Sequence, residues 1–233
     1  MEFKKLVCWL SLLVSFQLYA GDIRIVTFYA PPLVNKQSSP DLGTTYQIIV
    51  DAFNRANLTY GIEYSPESRA LKSAKLKRNV CTFPVARSQI LEADFIWVGP
   101  IAISQYALYH NKTEPSPLIT IADAMPYQIV SYEGYPVARQ LQEQGFKILL
   151  TKELDEGLKM LRRSSVDYWL SDTRTADSIA DTLKIPVTNQ PFVFLTDIKY
   201  LACNKEIAPL MVARLQSEIS AMITSGEVSI SFR

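Results

Sequence analysis

The sequence holds a single histidine, His110, and only three cysteines in 233 residues. One imidazole and scattered thiols provide no His/Cys cluster of the kind that ligates a transition metal. A Gly-x-Ser-x-Gly elbow and a glycine-rich phosphate loop are also missing. No metal and no cofactor are therefore expected, and catalysis has little support. His110 itself sits in the polar run Tyr109-His110-Asn111-Lys112 and reads as an exposed side chain rather than a general base. An excess of charge is lacking too. Without residues 1–20, which carry Lys4, Lys5 and Glu2, 22 basic and 22 acidic side chains remain of the original 24 and 23. Such a balance gives no electrostatic case for nucleic acid or for an anionic membrane surface. After the N-terminus no segment is long and apolar enough to span a bilayer.

Residues 1–20, MEFKKLVCWLSLLVSFQLYA, combine two lysines, an apolar stretch from Leu6 to Phe16 and a small residue at Ala20. This is the pattern of a cleavable signal peptide. A retained anchor is the alternative, although the apolar run is short for one. Export to the periplasm is the expectation. Cys81 and Cys203 then enter an oxidising compartment, which permits a disulfide between them; two buried free thiols remain the other reading.

The rest of the chain alternates strand and helix. Ile23 to Phe28 is β-branched and ends at Tyr29-Ala30-Pro31-Pro32, where two prolines exclude a helix. Tyr46, Ile49, Val50 and Phe53 recur at helical spacing over Thr44–Asn57. A strand at Tyr60–Tyr64, a helix from Pro66 and a strand at Val80–Val85 follow. The second hundred residues repeat the alternation: strands at Tyr127–Ser131, Lys147–Leu150 and Val166–Leu170, and helices at Pro136–Gln144, Leu154–Arg163 and Thr173–Leu183. Phe192–Leu195 and Tyr200–Cys203 read as a return, closed by a helix over Ile207–Thr224. The pattern predicts an α/β protein of two lobes, each a mostly parallel sheet flanked by helices, with lobe 1 formed by 21–100 plus 197–233 and lobe 2 by 101–196.

Several residues could serve a cleft between such lobes. Arg87 follows directly on a strand end, where its planar fork suits a carboxylate; an ordinary surface ion pair is the competing reading. Tyr29, at the carboxyl end of the first strand, could stack on a ligand or fill ordinary space. Asp172 could meet a ligand or cap the helix that begins at Thr173.

Order and spacing across about 200 residues resemble the periplasmic solute-binding proteins of family 3, the polar amino-acid type with a type II two-lobe fold. The residues that carry the resemblance are Tyr29-Ala30-Pro31-Pro32, the Pro-x-x-Arg-Ala around Arg69, Arg87 followed by Glu-Ala-Asp-Phe-Ile-Trp-Val-Gly-Pro, and Val166-Asp167-Tyr168-Trp169-Leu170-Ser171-Asp172. The resemblance implies that Arg87 holds a ligand carboxylate with help from Thr82, that Tyr29 covers the ligand side chain, and that Asp172 accepts an ammonium. It further implies contacts from the turn at Ser131, Gly134 and Tyr135. The protein would be a monomer that delivers an amino acid or related carboxylate to an ABC transporter permease, or reports it to a membrane sensor. A dehydratase-type enzyme using Glu133 or Asp172 is the remaining alternative on this fold. Two departures bear on the ligand: Gly43-Thr44-Thr45-Tyr46 lacks the acid usual there, and Lys77-Arg78-Asn79-Val80-Cys81 replaces a Gly-x-x-Asp.

Overall fold

The computed structural model describes residues 22–111, 118–188 and 190–230. The leader expected over 1–20 lies outside them, as does most of the loop at 111–117.

Lobe 1 opens with β1 (Ile23–Thr27), α1 (Thr44–Arg55), β2 (Tyr60–Tyr64), α2 (Glu67–Leu76), β3 (Val80–Ala86) and the single turn α3 (Gln89–Glu92). The long β4 (Ile96–Tyr109) crosses into lobe 2, which holds β5 (Gln128–Tyr132), α4 (Pro136–Glu143), β6 (Lys147–Thr151), α5 (Glu156–Arg162), β7 (Tyr168–Asp172) and α6 (Thr173–Leu183). The equally long β8 (Phe192–Cys203) returns to lobe 1, and α7 (Pro209–Thr224) packs there. All strands join one sheet in the order β2-β1-β3-β8-β4-β7-β5-β6.

The order shows a repeat. In each lobe the first strand lies between the other two, with parallel pairing that requires helical crossovers. β4 and β8 run antiparallel to each other, to β7 and to β3, and weld the two halves together. β1, β3, β5 and β7 are buried on both faces along most of their length, whereas the edge strands β2 and β6 alternate between covered and exposed positions. Ile25 of β1 faces the core of Ile49, Phe53, Phe83, Leu215 and Ile219, while Val26, one residue on, faces Ala70, Ala74 and Val85. In lobe 2, Ile129 packs with Leu141 and Leu170, and Val130 turns to Leu158 and Trp169 on the other side. Helix α1 buries Ile48, Ile49, Ala52 and Phe53, the three-and-four spacing of a single helical face. Each such large apolar side chain contributes roughly 1.5–3 kcal/mol when fully buried.

One expectation changes: the return read as Phe192–Leu195 and Tyr200–Cys203 is a single continuous strand, β8, and β4 likewise runs unbroken through the Gly99-Pro100 step. β4 absorbs the step through a register shift between Val98 and Ala102. Gly99 there has φ of +139°, a backbone conformation that favours glycine. Its two backbone groups are both satisfied by one side chain of α7: the Gly99 N–H donates to Gln216 Oε1 at 2.9 Å, and Gln216 Nε2 donates to the Gly99 carbonyl at 2.9 Å. The bulge therefore leaves no buried polar group unpaired at that residue.

Of the two readings for the cysteines, the disulfide holds. Cys81 and Cys203 face each other in register on β3 and β8, wholly buried, and are bonded.

Candidate functional site

Ligands in open α/β sheets bind outside the carboxyl ends of the strands. Here four such ends converge. β1 runs out into Phe28 and Tyr29, β3 ends in Pro84-Val85-Ala86, β5 ends at Tyr132, and β7 ends at Asp172. Together with Glu67 at the start of α2 and Gly134 to Val137 at the start of α4, they enclose a cavity of about 230 Å³. A wider mouth of about 770 Å³ continues outward between Tyr64, Ser65, Glu67, Glu133, Pro136 and Arg139.

The floor belongs to the two crossing strands. Ser104 and Tyr106 of β4 lie two apart and share a face, as do Asp197 and Lys199 of β8. Register puts Ser104 opposite Asp197, Ala102 opposite Lys199, and Tyr106 opposite Asp172. Lys199 pairs with Asp197 at 3.1 Å and its ammonium sits 6.0 Å from the Tyr106 ring centre.

Asp172 is 3% exposed and does two things at once. Its Oδ1 accepts the backbone N–H of Arg174 at 3.0 Å and of Thr175 at 3.2 Å, so it caps α6. It also lines the cavity. Burial raises its pKa above the ordinary value, against the pull of the capping amides and the Ser104 hydroxyl. Glu67 is likewise raised by burial, with Lys199 opposing. Burial raises the Tyr106 phenol strongly, and the neighbouring Tyr135, Asp172, Asp197 and Glu67 raise it further. Lone carboxylates in such a site cost free energy unless a cation joins them.

Four of the residues picked out from the sequence line this cavity: Tyr29, Gly134, Tyr135 and Asp172. Gly134 fits because the Tyr132 ring lies against it; a Cβ there would meet that ring at 2.2 Å. The Tyr135 hydroxyl is buried without a hydrogen-bond partner. The other three are placed elsewhere. Ser131 is buried in β5 and donates to the Leu170 carbonyl at 3.1 Å. Thr82 is buried in β3 with its hydroxyl unpaired. Arg87 turns its fork onto Glu92, with bonds of 2.8 and 2.5 Å, and stacks over Trp97 and Tyr200 at 5.8 and 5.5 Å. Glu92 raises the guanidinium pKa, and Arg87 in turn lowers that of Glu92. The neighbouring Ser88 and Leu91 line the cavity, but Arg87 does not.

Glu67, Ser104, Tyr106, Asp197 and Lys199 were not singled out from the sequence, and Tyr132 only as part of the turn from Ser131 to Tyr135, yet all line the cavity. A signal existed for two of them. Asp197 and Lys199 are charges two apart inside a strand-like segment, which puts both on one face. Among the described residues no group of His, Cys, Asp or Glu could hold a metal ion, and no helix is long and apolar enough to cross a membrane.

No family model matches the chain and no curated protein matches its sequence. Solved structures are similar in fold. A histidine kinase sensor domain with similarity to periplasmic binding proteins aligns with a TM-score of 0.69 at 15% identity, over 88% of this chain and 92% of that one. The GluR0 ligand-binding core from Nostoc punctiforme, in complex with L-glutamate, aligns with a TM-score of 0.67 at 15% identity, over 88% and 94%. The arginine-bound form of truncated ArgBP from T. maritima gives 0.64 at 14% identity, over 86% and 96%. The chain thus has the two-lobe fold of periplasmic binding proteins.

Proposed function

We propose that the protein is a solute-binding protein of the polar amino-acid type, family 3, which captures a small amine-bearing ligand by closing its lobes. The observation that carries this reading is the buried Asp172 carboxylate in a cavity walled by Phe28, Tyr29, Tyr106, Tyr132 and Tyr135. An ammonium answers the desolvated carboxylate, and aromatic faces attract the same charge. A ligand carboxylate, where there is one, meets Lys199 on the floor. The sensor domain and the amino-acid complexes among the similar structures support binding of this kind. Residues from both lobes line the cavity, so occupancy favours the closed form over the open one.

The leader-like pattern of residues 1–20 supports a periplasmic role, in uptake through an ABC-type permease. The histidine kinase sensor domain among the similar structures favours a second role, reporting occupancy to a membrane receptor.

A thermal-shift screen of the purified protein against the twenty amino acids, amines, small carboxylates and sugars tests the reading. A ligand at about 100 times its Kd adds roughly 2.7 kcal/mol of stability, several degrees in midpoint. Amine-bearing ligands are expected to raise the midpoint. A response confined to sugars or to carboxylates without an amine would overturn the role given to Asp172.

A further inference from the structure

The charges around the cleft do not balance. Inner cavity and mouth together present four carboxylates, Glu67, Glu133, Asp172 and Asp197, against two cations, Arg139 and Lys199. Both cations already have work. Lys199 is tied to Asp197, and Arg139 Nε donates to the Glu133 carbonyl at 3.3 Å. Arg87, between the lining residues Ala86 and Ser88, has its fork on Glu92.

The excess has a direction. Glu67 stands at the first residue of α2 in lobe 1, and Asp172 at the last residue of β7 in lobe 2. Among the side chains that line the inner cavity Lys199 is the one cation, and Asp197 holds it; Arg174, outside that lining, lends Asp172 a favourable field that burial outweighs. Glu67 shares the field of that same lysine without the direct contact. When the lobes close, two carboxylates on opposite walls enter one water-poor space, and they repel unless positive charge comes between them. The walls suit that charge: Phe28, Tyr29, Tyr106, Tyr132 and Tyr135 supply aromatic rings for cations and apolar surface for the methylenes between them.

We infer that the cleft selects a ligand with two positive groups joined by a short apolar chain, a basic amino acid or a diamine, with Asp172 receiving one group and Glu67 the other. This rests on the solute-binding reading and narrows it from amine-bearing ligands to dications. Acidic ligands are turned away by the same excess, and ligands with one ammonium leave Glu67 unanswered.

Calorimetric titration of the purified protein tests it, with L-lysine, L-arginine and cadaverine set against L-norleucine, L-glutamine and L-glutamate. Norleucine copies the lysine side chain but lacks its terminal amine. At least one dication is expected to bind about a hundredfold or more tighter than norleucine, with L-glutamate silent. Glu67→Gln keeps the side chain's shape and removes its charge. It should weaken the dication at least tenfold and leave norleucine within about threefold. Equal affinity for lysine and norleucine, tighter binding of glutamine or glutamate, or an unchanged dication affinity in E67Q would overturn the inference. Should E67Q fail to fold, the comparison of lysine with norleucine on the unaltered protein decides by itself. If none of the six binds, the solute-binding reading falls, and this inference with it; if neutral ligands bind best, only the inference falls. Cadaverine against lysine shows whether a ligand carboxylate contributes.

Discussion

Tyr29 of lobe 1 and Tyr132 of lobe 2 meet edge to face across the cleft, with ring centres 6.5 Å apart and planes at 85°. The contact starts a relay. Tyr132 meets Tyr135 at 5.5 Å, and Tyr135 meets Tyr106 at 5.5 Å on the floor strand β4. Four rings therefore run from the mouth to the floor, all within the distances at which aromatic edges and faces attract. A second link between lobes lies beside them, where the Thr175 hydroxyl donates to the Pro31 carbonyl at 3.4 Å. Tyr29 both lines the cavity and rests on Tyr132, so a ligand held there would share that ring with the contact between lobes. Tyr29→Ala should weaken ligand binding about tenfold, the size of one lost cation–aromatic contact in a desolvated site plus part of the closed-state stabilisation. A double-mutant cycle with Tyr132→Ala, read by urea unfolding without ligand, should give a coupling of about 0.5–1.5 kcal/mol. A coupling indistinguishable from zero would mean that the two rings do not hold the lobes together in solution.

Asp172 combines a cap and a buried charge, and substitution separates them. Asparagine still accepts the Arg174 and Thr175 amides, whereas alanine accepts neither. At pH 7 without ligand, Asp172→Ala should lose about 1 kcal/mol of stability, while Asp172→Asn should match or exceed the wild type. The pH dependence follows from burial, which raises the carboxyl above its ordinary 3.8. The penalty is absent below that value, where folded and unfolded chains are both protonated. It appears as pH rises through the higher folded-state pKa, where the folded carboxyl must ionise. Any advantage of Asp172→Asn is therefore present at neutral pH and gone near pH 3. An asparagine variant less stable than wild type at pH 7 by as much as the alanine variant would show that the ionised form is favoured by the fold.

The alternation of strand and helix was legible because each outer element carries its own period: Ile23 to Thr27 and Tyr168 to Asp172 as apolar runs, Ile48, Ile49, Ala52 and Phe53 as one helical face. The two crossing strands were not. In β4 the Gly99-Pro100 step looks like an end, and the strand survives it because Gln216, more than a hundred residues later, takes up the freed backbone groups. In β8 the polar stretch Thr196-Asp197-Ile198-Lys199 interrupts the apolar pattern, because one of its faces is the floor of the cleft. The site was legible where a residue closes a strand in its own lobe, as Tyr29 and Asp172 do. Glu67, Ser104 and Tyr106 gain their place only when distant elements meet, which no local period records.

The disulfide joins β3 to the returning strand in lobe 1, away from the residues that line the cleft, and closes a loop of 122 residues. Replacing Cys81 and Cys203 together by alanine should cost roughly 2–5 kcal/mol of stability, seen as a lower urea midpoint. Ligand affinity should stay within about threefold at a temperature where both proteins are folded, since no lining residue is touched. An unchanged midpoint would show that the packing of β3 on β8 suffices without the bond. A large loss of affinity with little loss of stability would show that the pairing of these strands controls closure.

Arg87 is the cation that the sequence offers a ligand carboxylate and Lys199 the one on the cavity floor, and their surroundings predict opposite sensitivities. Arg87 is half-exposed, its fork is filled by Glu92, and its plane rests over Trp97 and Tyr200. An exposed pair of this kind contributes little, so Arg87→Ala should change affinity for an amino acid by less than about fivefold. Lys199 is mostly buried on the cavity floor. Lys199→Met keeps much of its length and removes the charge, leaving Asp197 and Glu67 with less compensation. It should weaken an amino acid, which loses the partner of its carboxylate, and strengthen cadaverine, which has no carboxylate and meets a more negative floor. Calorimetry on the two variants with lysine and cadaverine reads all three effects. If instead Arg87→Ala abolishes amino-acid binding and Lys199→Met leaves both ligands unchanged, Arg87 must leave Glu92 on closure and supply the carboxylate contact that its position after β3 suggests.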